Sequence, residues 1–148
     1  MNDLKQTISL RLGDSDRAQV QSLAARLFVR ESEVYRFAIS YLLNKLSILL
    51  DDSYCGTDIL PLLLELRKEL NETLEVRKHQ LENIINGKAI QPEKYVAMCD
   101  IELLMLPRHL LKAALMKLDH SPRKNTDPEV WLNQYLTDKY KMAKETPL

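Results

Sequence analysis

The chain has 148 residues, 45% hydrophobic and 28% charged, with equal numbers of acidic and basic side chains. That length suits one compact domain or two small ones, and the apolar fraction is ample for a core. A formal net charge of zero excludes a chain whose overall charge alone names its ligand, and leaves only local patches to do so.

The charge is unevenly spread, at +2 over residues 1–50, −3 over 51–90 and +1 over 91–148. Cys55 and Cys99 form no CxxC pair, so they are expected to be small, reduced, buried hydrophobes. MNDLKQ lacks the character of a signal peptide. YLLNKLSILL (41–50) is too short to cross a bilayer and is interrupted by Asn44 and Lys45. These features predict a cytoplasmic protein with no membrane attachment.

KQTISLRL (5–12) alternates from Thr7 onward, with Thr7, Ser9 and Arg11 on one face and Ile8, Leu10 and Leu12 on the other. That period predicts a half-buried β-strand, the single strand expected in the chain. GDSD (13–16) follows as a turn with capping residues. Val20, Leu23, Ala24 and Leu27 then recur at helical spacing and predict a helix over 15–28. After the short connector FVRESE (28–33), a second helix is expected over 31–49, with Val34, Phe37, Ala38, Tyr41 and Leu42 on one face.

DDSYCGTD (51–58) combines turn formers with Gly56 and marks 51–57 as a linker. Beyond it, Ile59, Leu63, Leu66, Leu70, Leu74, Leu81 and Ile85 form a continuous stripe that predicts one long, straight helix ending at Asn86-Gly87. Pro92 opens a further helical stretch that Pro107 interrupts and that resumes to Leu118. HSPRKNTDP (120–128) is expected as a polar loop and the last few residues as frayed. Between them, Val130, Trp131, Gln134, Tyr135 and Lys139 predict an amphipathic helix with Trp131 and Tyr135 as a core pair. The expected organisation is residues 1–50 as one domain, 51–57 as linker and 58–148 as a helical second domain.

The order strand, helix, connector, helix, together with RESEVYRFAISYLL (30–43), resembles the ribbon–helix–helix family of prokaryotic DNA-binding proteins. The matching residues are Ser32, Glu33, Val34, Arg36, Ala38, Ile39, Tyr41 and Leu42. Two positions depart from the family pattern: Phe28 stands where a connector glycine is usual, and Arg30 where a Ser or Thr cap is usual. A bulky residue at positive φ is strained, so the connector is expected to turn differently and the cap to shift to Ser32.

The resemblance implies a mainly α protein in which the strand pairs with its copy across a homodimer. Ile8, Leu10, Leu12, Val34, Phe37, Ala38 and Tyr41 would form the dimer core. The resulting ribbon would enter the major groove of double-stranded DNA, with Thr7, Ser9 and Arg11 contacting bases and Arg30, Ser32 and Lys5 contacting phosphates. Such a protein would be a transcriptional repressor, with the second domain serving assembly (up to a tetramer), regulation or a protein partner. The alternatives are an antitoxin, a plasmid-transfer or partition accessory protein, and a structural adaptor whose ribbon only dimerises. No phosphate loop, nucleophile elbow or catalytic dyad is present, and His79, His109 and His120 lack ligand spacing. Enzymatic activity, metal and cofactor are therefore not expected, and the acidic residues are read as lying on solvated helix faces.

Overall fold

The computed structural model describes residues 4–87, 91–120 and 127–142. Most of the expected 120–128 loop and the final residues lie outside them. Two compact units divide the chain, Met1–Ser47 and Ile48–Leu148.

The first unit is a helix pair, α1 (Asp14–Leu27) and α2 (Glu31–Lys45). Asp14 and Asp16 lie in the first turn of α1, where the helix dipole favours negative charge. The predicted strand is not seen: residues 4–13 have no regular structure, and no strand occurs among the described residues. The ribbon–helix–helix fold class is thereby corrected to mainly α. Alternation prepares a segment for pairing but supplies no second strand, and one strand alone cannot close its own hydrogen bonds.

The connector turns at Phe28, which adopts the left-handed conformation at φ 57°, ψ 39°. Its N–H is donated to the Ala25 carbonyl and that of Val29 to the Ala24 carbonyl, at 3.3 and 3.0 Å. This is a Schellman ending, in which glycine is usual. The expected departure from the turn does not occur, and Phe28 bears a strain of about 1–2 kcal/mol that glycine would avoid. The cap does not shift either. Arg30, extended at ψ 153°, is the N-cap of α2, and its N–H is donated to Glu33 Oε2 at 2.9 Å. Arginine has no acceptor, so only the returning half of a capping box is made. α2 also stops short of the expected residue 49, passing into a 3-10 turn at Ser47–Leu50.

The second unit contains α3 (Leu60–Glu65), α4 (Arg67–Glu72), α5 (Lys78–Asn86), α6 (Met98–Met105), α7 (Arg108–Leu118) and α8 (Pro128–Tyr140). The single long helix expected over 59–85 is in fact three. A straight helix of that span would be about 40 Å long and would need a partner of equal length to bury its stripe. Breaking at Leu66 and again over 73–77 folds Leu63, Leu70, Leu81 and Ile85 onto one core with Ile101, Leu111, Leu115 and Trp131. Leu74, at the second break, is the stripe residue left exposed, and Glu75 beside it takes φ 50°.

Turn chemistry and buried polar bonds lock this core. Gly56, at φ 58°, is buried in a 3-10 turn (Gly56–Asp58), and a Cβ there would lie 1.9 Å from the Lys94 carbonyl oxygen. Asp58 accepts the Cys55 N–H at 3.3 Å and pairs with Lys94 Nζ at 2.8 Å, which holds the Lys94 ammonium above its usual value. Asn86 clamps the extended backbone at Val96 from both sides, at 2.8 and 3.0 Å. Cys55 is half-buried and Cys99 exposed, so the expectation of a buried thiol fails at Cys99. Among the described residues no helix is long and apolar enough to cross a membrane.

Candidate nucleic-acid interface

The residues expected to meet DNA all belong to the first unit. Lys5, Thr7, Ser9 and Arg11 lie along the irregular segment before α1, and every one is exposed. The apolar residues between them become less exposed toward α1, from 86% at Ile8 to 71% at Leu10 and 36% at Leu12. Leu10 and Leu12 line an open groove with Asp16, Gln19, Val20, Leu23 and Tyr35. Only the end of the segment, at Leu10 and Leu12, approaches the helix pair, and there is no strand pairing.

Arg30 and Ser32 sit at the N-terminus of α2, where unpaired N–H groups and the dipole suit an anion. Both are exposed. Of the two carboxylates in this first turn, Glu33 caps the Arg30 N–H and Glu31 is held elsewhere. It accepts the Tyr35 hydroxyl at 3.0 Å and faces Arg17 Nε at 3.6 Å. Partial burial and that bond push the Tyr35 hydroxyl above its ordinary value. Glu33 lies 3.8 Å from the Arg30 guanidinium, a loose contact that leaves the arginine side chain 85% exposed. Loose exposed pairs of this kind contribute little to stability, so Arg30 is available to a polyanion. No side-chain bond among the described residues joins Thr7, Ser9 or Arg11 to Arg30 or Ser32.

Of the residues expected in a dimer core, Val34 is buried, with Ala24 of α1 its only buried hydrophobic companion among the described residues of the unit. Ile8, Leu10, Phe37, Ala38 and Tyr41 are exposed, and Leu12 stands at the edge of exposure. The Phe37 and Tyr41 rings stack one turn apart, centroids 6.3 Å from each other. They form an apolar face that none of the unit's described residues covers.

The second unit holds two polar clusters that sequence reasoning missed. Asp100, read as a solvated-face acid, is fully buried. It accepts the hydroxyls of Tyr135 (2.9 Å) and Tyr140 and pairs with Lys139 Nζ at 2.7 Å. Tyr140 in turn accepts the Ala97 N–H at 2.9 Å. Arg67 is likewise buried, donating to both carboxylate oxygens of Glu129 and to the Leu106 carbonyl. Nearly every polar bond in these clusters is spoken for, which suits scaffolding rather than chemistry. The one available signal for Asp100 was its place in the apolar run MCDIELLML, which the exposed Glu102 shares. The chain matches no family model, no curated protein and no solved structure.

Proposed function

We propose that the protein is a sequence-specific DNA-binding homodimer, acting as a transcriptional repressor, with recognition in the first unit and assembly or regulation in the second. The observation that carries this reading is the near absence of a core in the first unit. Among its described residues Ala24 and Val34 are the buried hydrophobic ones, while Ile8, Leu23, Leu27, Phe37, Tyr41 and Leu42 face outward. Two small buried side chains cannot offset the entropy of ordering a helix pair. A second copy laid on the same face supplies the missing burial, and folding and association become one event.

Recognition then rests on side chains rather than on a ribbon. Arg11 has the fork geometry to take a guanine bidentately, Thr7 and Ser9 offer short hydroxyls, and Arg30 with Ser32 holds a phosphate at the start of α2. Among the described residues, the second unit buries fifteen hydrophobic side chains in one cluster. That favours a folded assembly or regulatory domain over the flexible tail an antitoxin would use to grip its toxin.

The deciding experiment is selection from random duplexes with the full chain, followed by binding measurements on the recovered sequence. Arg11→Ala should lose about 1–3 kcal/mol of discrimination at one base position. Arg30→Ala should weaken all sequences alike and lower the salt slope by about one. Recovery of no preferred sequence, or an unchanged preference in Arg11→Ala, defeats the reading.

A further inference from the structure

Phe28 combines two costs that the chain could have avoided together. Its backbone is left-handed at φ 57°, and its ring is 95% exposed on the turn between α1 and α2. Glycine would hold the same Schellman turn without strain and without an aromatic ring in water. A strained non-glycine residue of this kind points toward a functional contact. The flanking residues indicate with what. Arg26, exposed in the last turn of α1, and Arg30, exposed at the cap of α2, stand two residues to either side. Of the nearby carboxylates, Glu31 is turned to Arg17 and Tyr35, and Glu33 shares Arg30.

Resting on the DNA-binding reading, we infer that Phe28 is an apolar wedge, inserted at a base step of the bound duplex while Arg26 and Arg30 hold the adjacent phosphates. Apolar side chains used in this way unstack a step and kink the helix. A second copy is the less suitable occupant. Ring-to-ring docking about a two-fold axis would gather the Arg26 and Arg30 guanidiniums of both copies at one contact, whereas a duplex brings the opposite charge.

The test uses the full chain and a duplex recovered from random-sequence selection with the unaltered protein. Affinity is followed by fluorescence anisotropy and bending by circularly permuted probes. Phe28→Gly suits the left-handed turn, so its melting temperature should not fall and any loss of binding is not a loss of fold. Binding should weaken roughly tenfold, since an aromatic stack on a base is of that order. The position-dependent mobility of the probes should disappear, and the salt slope should stay the same because the ring neutralises no phosphate. Phe28→Leu, which keeps an apolar wedge, should retain most of the bend. Equal affinity and equal bending in Phe28→Gly overturn the wedge while leaving DNA binding intact. A drop in oligomer mass for Phe28→Gly without DNA overturns it in favour of a contact between copies. If the unaltered chain binds no duplex at all, the DNA reading falls and the wedge with it.

Discussion

The buried carboxylate of Asp100, on α6, accepts the hydroxyl of Tyr135, on α8, at 2.9 Å. With Tyr140 and Lys139 on the same carboxylate, the last two turns of α8 are fastened to the start of α6. Burial, then the bond to Asp100, pushes both tyrosine hydroxyls above their usual value. Burial works the other way on Lys139, but the bond and charge of Asp100 outweigh it and raise the ammonium too. Unfolded, the tyrosines titrate near 10.0 and the lysine near 10.5. Above that range the folded state keeps protons that the unfolded state has lost. The stability these groups contribute is therefore complete below about pH 10 and drains away as pH rises further. Urea midpoints should stay level from pH 8 to 9.5 as far as these groups are concerned and then fall, and Tyr140→Phe should make the fall shallower.

Asp100→Ala should be far more damaging than loss of its ionic partner. It strips the acceptor from two tyrosine hydroxyls in a packed site, at about 1–3 kcal/mol for each group left unsatisfied. Lys139 is 40% exposed but its Asp100 partner is fully buried and keeps two tyrosine donors, so Lys139→Met should cost more than a surface pair would and less than Asp100→Ala. Chemical denaturation of the two variants checks the ranking, and equal costs would mean that the ion pair, not the tyrosines, dominates.

Gly56 and Gly13 should respond oppositely to substitution. Gly56→Ala forces a Cβ against the Lys94 carbonyl at a left-handed position and should lower stability by roughly 3 kcal/mol or more, as strained and overpacked sites do. Gly13 is the N-cap of α1 in extended conformation, and a Cβ there would meet nothing within 4 Å. Gly13→Ser supplies the missing cap acceptor and should raise stability by a few tenths of a kcal/mol. Thermal melts of the two variants are sufficient.

Leu23→Glu and Phe37→Glu test the uncovered face of the first unit. On a monomer, substitutions at such exposed positions fall within about 0.5 kcal/mol. If a second copy covers them, each should shift sedimentation toward the single-chain mass and abolish the dependence of melting temperature on concentration. A mass that stays at the single-chain value from dilute to concentrated unaltered protein would exclude the dimer.

Local order was largely legible in the sequence, and partners across the fold were not. The spacing of Val20, Leu23, Ala24 and Leu27 placed α1 to within a residue, because caps and apolar period act over a few residues. The alternation of KQTISLRL is present in the sequence, but the segment forms no strand and residues 4–13 have no regular structure. The Leu63–Ile85 stripe continues in sequence across three helices, losing only Leu74 to solvent, since pieces that share a core keep inward residues. No Gly or Pro marks the breaks at Leu66 and Thr73; packing sets them. Asp100 and Arg67 escaped notice for a related reason: Tyr135 lies 35 residues away and Glu129 lies 62.

That last separation has a consequence for how the chain is made. Arg67 is buried early in the sequence of the second unit, yet one set of its acceptors, the Glu129 carboxylate, emerges from the ribosome long after it. Until then a closed core would hold a guanidinium with only the Leu106 carbonyl for company, which a low-dielectric interior penalises heavily. A core closed from α3 to α7 without α8 would therefore leave the Arg67 charge short of its carboxylate. The ion pair ties Arg67 of α4 to Glu129 of α8, so closing this core with its buried charge matched depends on α8 being in place.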